Sequence, residues 1–312
     1  LRSRGLGDVY KRQVDISDLS NIKFKLYAKE DIIDMADGSK IYEKGKEIGT
    51  YNLTIDGKLE ISKLPMGVYE LQEVQTLDGL ALDNTKYEAK LEKKDDVTKV
   101  YSVTKEVKNE TTLVEVSKTD ITGDKELEGA KLSVIDENNK VIDEWTSTSK
   151  THKIEGLKVG KTYTLREDLA PIGYVKSTDI EFKVENTGKV QKVTMIDKVV
   201  EISKTDITTG EELEGAELTV TDENGKVIDS WVSTKEAHKV TGLEEGKKYT
   251  LTETTCPYGY KQAESITFEV SKDKETQKIE MKDAPILKNV KVQKVDNETK
   301  EIIKEKFVFG IY

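Results

Sequence analysis

Six charged residues fall into two matching sets. Lys118, Glu167 and Asp197 recur 86 residues later as Lys204, Glu253 and Asp283, and in each set the lysine precedes the glutamate by 49 residues and the aspartate by 79. A lysine amine and a carboxyl group held together out of water can condense to an amide, because proximity supplies much of the rate. Burial disfavours the charged form of either group and so favours the nucleophilic neutral amine and the electrophilic neutral acid. A glutamate bonded to both can take the amine's proton and deliver it to the departing oxygen, acting as base and acid in one site. The expected product is a Lys–Asp isopeptide bond, Lys118 to Asp197 and Lys204 to Asp283, with Glu167 and Glu253 as proton shuttles. Such a site is consumed by its own single reaction, so it is not an enzyme that turns over an external substrate, and the chemistry requires no cofactor. The same residues would also serve as a buried salt bridge that never condenses, and spacing is compatible with both.

For these groups to meet, strands must carry them inward. Alternate side chains of a strand point to opposite faces. In 113–119, Val114, Val116 and Lys118 share a face; in 161–167, Tyr163, Leu165 and Glu167; in 192–197, Val193, Met195 and Asp197. The next repeat keeps the pattern, with Ile202 and Lys204, Tyr249, Leu251 and Glu253, and Ile279, Met281 and Asp283. Each charged group thus ends an apolar row. Charge is rarely placed inside without a partner.

The surrounding segments are short, alternating and rich in Val, Ile, Thr and Tyr, and no long helical pattern competes, which predicts an all-β sandwich. In the first full repeat, strands are expected near 113–119, 130–136, 140–146, 151–155, 161–167, 179–185 and 190–198, with Asn224-Gly225 a two-residue hairpin turn in the second. A repeat sets the domain size ahead of total length. The organisation expected is a diverged unit at 14–112, complete units at 113–199 and 200–286, and the start of another at 287–312. Leu1–Gln13 resembles the in-frame translation of a sequencing adaptor and is set aside from fold reasoning. Asp197 and Lys204 are seven residues apart, so the units follow one another closely, as a stiff string.

Composition narrows the function. The chain of 312 residues is 35% charged and 6% aromatic with a net charge of -10, which disfavours nucleic-acid binding. Acidic and basic residues alternate along strands, the pattern of a solvated sheet face. No apolar run is long enough to span a membrane. Disulfides are excluded by a lone cysteine, Cys256, read as a small buried residue. His152 and His238 align with one another, but one histidine per repeat makes no metal cluster; they and the aligned Trp145 and Trp231 are read as strand or core residues.

Two stretches carry a family resemblance: LKVGKTYTLREDLAPIGY at 157–174, containing Glu167, and LEEGKKYTLTETTCPYGY at 243–260, containing Glu253. Both resemble the glutamate-containing E-box of the B-type repeats of collagen adhesins, domains shared with the SpaA-type pilins of Gram-positive bacteria. The resemblance runs from Val14 to the end of the chain. It implies tandem immunoglobulin-like (B-type, prealbumin-like) β-sandwich domains in a string, autocatalytic isopeptide bonds and a cell-surface stalk. Many members end on asparagine, whereas Asp197 and Asp283 resemble the Lys–Asp subset.

In the diverged unit, Glu73 takes the glutamate's place and Asn109 that of the bond's acceptor, while alignment puts Gln13 where a lysine is needed. Glu73 is thereby an orphan. At the other end, Val290, Val292 and Lys294 repeat the opening strand of a unit whose later strands are not in the sequence. The function expected is a stalk segment of an extracellular bacterial adhesin or pilin-like protein, joined to the cell wall through an anchor outside this sequence. Its partners would be other surface subunits or host extracellular matrix. The alternative is a host-matrix or glycan binding module using loops of the first unit, where 29–46 is the longest insertion.

Overall fold

The computed structural model describes residues 14–93, 102–273, 275–304 and 308. The adaptor-like stretch Leu1–Gln13, and with it the lysine-equivalent Gln13, lies outside them. Among the described residues all regular structure is β, and no helix is long and apolar enough to cross a membrane. The chain divides into two compact units, one of 1–201 with 239–248 and 269–278, the other of 202–238, 249–268 and 279–312.

The first unit begins with β1 (Lys23–Ala28), β2 (Ile32–Ile33), β3 (Lys40–Tyr42), β4 (Glu47–Asn52), β5 (Gly67–Gln75) and β6 (Lys86–Leu91). Four of these form a sheet of order β4-β1-β5-β6, and β2 and β3 pair as a hairpin within the 29–46 insertion. Strict alternation in β1 buries Phe24, Leu26 and Ala28. Leu26 and Ala28 pack with Ile32 and Tyr69, so the inserted hairpin contributes to this core.

The repeat at 113–199 is a two-sheet sandwich. Its strands are β7 (Leu113–Asp120), β8 (Lys131–Ile135), β9 (Val141–Thr146), β10 (His152–Glu155), β11 (Thr162–Leu169), β12 (Ile180–Lys183) and β13 (Val190–Asp197). They match the seven segments expected from the residue pattern to within a few residues at each end. One sheet has the order β10-β7-β13 and the other β12-β11-β8-β9. The first and last strands, β7 and β13, run parallel in unbroken register, with Met195 opposite Lys118 and Asp197 opposite Asp120. Between the sheets lie Val114, Val116, Leu132, Val134, Leu165, Val193 and Met195, all buried.

The second compact unit is built from β14 (Val200–Asp206), β15 (Glu217–Asp222), β16 (Val227–Val232), β17 (His238–Lys239), β18 (Lys248–Thr255), β19 (Tyr260–Lys261), β20 (Ile266–Glu269) and β21 (Gln277–Pro285), most of whose residues it holds. The sheet orders are β17-β14-β21-β19 and β16-β15-β18-β20. The turn between β15 and β16 is closed by Gly225 N–H donating to Asp222 O, with Gly225 at φ +76°. Asn139 takes the matching left-handed position at φ +59° in the earlier repeat, a conformation that Gly and Asn tolerate best.

Within the first unit, adjoining segments are tied tightly. Gly79 lies so close to Gly156 that a Cβ on it would meet the Gly156 carbonyl oxygen at 2.8 Å. Thr112 donates its hydroxyl to Leu157 O at 2.6 Å. The residue 86 positions on is Lys198, which is buried; its Nζ donates to the carbonyls of Ser271 and, at 2.9 Å, Asp273, with Glu245 Oε1 at 3.5 Å. Lys176 N–H donates to Leu243 O at 2.8 Å. These bonds attach 239–248 and 269–278 to the preceding sandwich.

Towards the C-terminus, 286–294 forms no strand among the described residues, and Lys294 is exposed. The stretch 102–110, where the first unit was expected to close, likewise lacks strand structure.

Candidate functional site

In 113–199 the three predicted site residues converge. Lys118 is 1% exposed and Glu167 and Asp197 are fully buried. Lys118 and Asp197 come from the parallel neighbours β7 and β13 of one sheet, and Glu167 from β11 of the facing sheet. Lys118 Nζ donates to Asp197 Oδ1. Glu167 Oε1 is paired with the same nitrogen at 2.8 Å, off the angle of a hydrogen bond. The other oxygen of Glu167 is anchored by the Ser177 N–H at 2.7 Å. Asp197 Oδ1 also accepts from the Ser177 hydroxyl at 2.7 Å, whereas Oδ2 has no donor.

The second set repeats this arrangement. Lys204, Glu253 and Asp283 are each at most 1% exposed; Lys204 Nζ donates to Asp283 Oδ1 and stands 3.0 Å from Glu253 Oε1. Glu253 Oε2 accepts the Ala263 N–H at 2.7 Å. Thus the residue ten positions after each glutamate supplies the main-chain donor that fixes its orientation.

Burial dominates the electrostatics. It pushes Glu167 up to about 7, against the lowering effect of the Lys118 charge and with a further upward push from Asp197. Asp197 is raised by the same desolvation, opposed by the charge and hydrogen bond of Lys118 and by the Ser177 hydroxyl. Glu253 is also raised, again mainly by burial. In the first set, two carboxyl groups that share one cavity resist simultaneous ionisation, which favours the neutral acid that the condensation needs. The arrangement therefore holds an amine, an electrophile and a proton carrier in contact, the requirements of the condensation derived above.

The diverged unit contains part of this machinery. Glu73 is 1% exposed, its Oε2 accepts the Asp83 N–H at 2.6 Å and the Asn109 Nδ2 at 2.7 Å, and burial raises its pKa. Its Oε1, the counterpart of the oxygen that faces lysine elsewhere, has no hydrogen-bond partner among the described residues.

Two features were not foreseen from the sequence. Ser177 is one; its hydroxyl contact depends on a loop conformation that residue type alone does not predict. The other is a three-residue clasp at the sandwich edge. His152 stacks on Trp145 at 4.0 Å and shares a hydrogen bond with Asp143 Oδ2 at 2.8 Å, and His238 does the same with Trp231 and Asp229. In the earlier repeat this joins β9 and β10, which belong to different sheets. The Asp-x-Trp followed by His seven residues later, present in both repeats, was the available signal. No group of His, Cys, Asp and Glu suited to hold a metal occurs among the described residues. Cys256, expected to be buried, is half-buried with its Sγ 3.5 Å from Tyr260 O.

The sequence matches the SpaA prealbumin-like fold domain three times, at residues 8–106, 112–199 and 198–285. No curated protein matches it. Among solved structures it is similar to the Bacillus anthracis TIE protein, at 24% identity and a TM-score of 0.34 over 88% of this chain and 49% of that one, so it spans about half that protein's length. It is similar to shaft pilin SpaA from Lactobacillus rhamnosus GG at 17% identity and a TM-score of 0.29, covering 57% of this chain and 99% of the pilin. With BcpA, the major pilin subunit of Bacillus cereus, identity is 15% and the TM-score 0.28, over 86% and 96% of the two chains. The three family matches together take in most of the sequence, and the chain belongs to the SpaA family of prealbumin-like fold domains.

Proposed function

We propose that this chain is a stalk segment of a bacterial adhesin or pilin-like protein at the cell surface, in which two successive domains each close an intramolecular Lys–Asp isopeptide bond. The observation that carries the reading is the contact, in a dry core, of Lys118 Nζ with both carboxyl groups. Glu167 takes a proton from Nζ as the nitrogen attacks Cγ of Asp197. The N–Cγ bond forms, the Cγ–Oδ2 bond breaks, and Oδ2, the hydroxyl of the neutral acid, leaves as water with its own proton and the one that Glu167 returns to it. Lys204, Glu253 and Asp283 follow the same course. An uncondensed buried pair contributes little over apolar packing, which argues for the covalent state. The domains proposed are 14–112, 113–199 and 200–286, with another beginning at 287; the last two full ones lie close to the family matches at 112–199 and 198–285.

Intact mass of the folded chain tests this directly. Wild type is expected to fall short of its calculated mass by two waters, and Lys118→Ala or Glu167→Ala by one. A full calculated mass for wild type would sink the proposal.

A second reading, a binding module in the diverged unit, is favoured by one observation. Exposed Ile33, Met35, Ile41 and Met66 border a surface depression of about 390 Å³ at the inserted hairpin. Capture of host matrix protein or glycan by the chain, abolished by Met35→Asp, would support that role; failure to retain either would exclude it.

A further inference from the structure

The two condensation sites share their three reacting residues but differ ten positions after the glutamate, where one has Ser177 and the other Ala263. Ser177 is buried, and its Oγ stands 2.7 Å from Asp197 Oδ1 and 2.9 Å from the main-chain carbonyl of Ile196. Its single proton can serve either acceptor. The Ala263 side chain has no hydrogen-bonding atom, and the polar side-chain contact of Asp283 Oδ1 is with Lys204.

That oxygen matters because of what it becomes. When the amine adds to Cγ, the Oδ1 carbonyl acquires the charge of a tetrahedral oxyanion, a far stronger acceptor than a neutral main-chain carbonyl. A hydroxyl already in place then gives its proton to Oδ1 in preference to Ile196 O. A donor whose bond strengthens as charge develops lowers the barrier, and removing one such donor from an acyl-transfer site typically costs about 10²- to 10³-fold in rate. Here Lys118 already contacts the same oxygen and Ile196 competes for the proton, so an effect of about 10- to 100-fold is expected.

We infer that Ser177 is an oxyanion-stabilising residue that makes the Lys118–Asp197 bond close faster than the Lys204–Asp283 bond. The inference rests on the condensation reading above. It assigns the two domains different maturation rates, with the slower one lacking the hydroxyl.

The test uses the full chain made in a cell-free reaction, with samples quenched in acid at intervals and digested to quantify the two crosslinked peptides. In wild type the Lys118–Asp197 peptide should accumulate about 10- to 100-fold faster than the Lys204–Asp283 peptide, which serves as an internal reference. Ser177→Ala should remove most of that difference, and Ser177→Thr, which keeps a hydroxyl, should restore part of it. Ala263→Ser should accelerate the slower site, a gain that a merely structural role for Ser177 does not predict. Equal rates at the two wild-type sites, an unchanged ratio in Ser177→Ala, or no acceleration in Ala263→Ser would each overturn the inference while leaving the condensation reading intact. Absence of both crosslinks from wild type would overturn the two together.

Discussion

Pulling on the chain offers the most discriminating measurement of the proposed bond. Because β7 and β13 are parallel, tension enters at Leu113 and leaves at Asp197, at opposite ends of the pair, and loads their hydrogen bonds in shear. Lys118 lies close to the exit, so a covalent link to Asp197, 79 positions on, would carry the force past the stretch between them. Broken open, that stretch would lengthen by roughly 3.5 Å per residue, or about 27 nm. With the bond present, tension can straighten only 113–118, roughly 2 nm. In single-molecule force spectroscopy, wild type should therefore give no step near 27 nm from either complete repeat. Lys118→Ala should give one, and Lys118→Ala with Lys204→Ala two. Two such steps in wild type would refute the argument, because a chain crosslinked at both sites cannot release that length.

Further expectations concern stability and pH. A crosslink closing a loop of 79 residues is worth about 4.5 kcal/mol by the chain-entropy analogy with disulfides, so Glu167→Gln should lower the Tm of its repeat by roughly 20–35 °C in calorimetry. Since burial raises Glu167 to about 7, the carboxylate that takes the proton from Nζ is present above pH 7 and is lost as pH falls below it. Condensation of newly made chain should accordingly slow by about tenfold per pH unit below 7, followed by mass spectrometry; a rate unchanged down to about pH 5 would contradict the proton-acceptor role. Lys198→Ala strips two carbonyls and Glu245 of their buried cation and should cost about 3 kcal/mol in denaturant unfolding, with faster hydrogen exchange at Leu243–Gly246.

Much of this architecture was readable from the residues because the charged groups sit at the ends of alternating rows. Lys118 after Val114 and Val116, and Glu167 after Tyr163 and Leu165, face inward by parity alone, and the structure buries all six of these side chains. What parity could not give is which oxygen meets which donor. Ser177 reaches Asp197 through a loop, and His152 reaches Asp143 across two sheets, both of which depend on tertiary placement. The opening-strand pattern at Val290, Val292 and Lys294 is the converse case. It has the alternation of β7, yet 286–294 forms no strand, since a single amphipathic segment has no stability of its own.

The glutamate comes from the sheet opposite the lysine and the aspartate, and this has a consequence for assembly. Neighbouring repeats so alike invite strands to pair with the wrong partner while folding. An irreversible bond would preserve any such error. Here Lys118 and Asp197 can meet on their own sheet, but Glu167 joins them only after the second sheet has closed over the core. In the proposed reaction the third residue would thus act as proofreading: it would withhold the covalent step until the sandwich is complete, so that what is locked would be a finished fold.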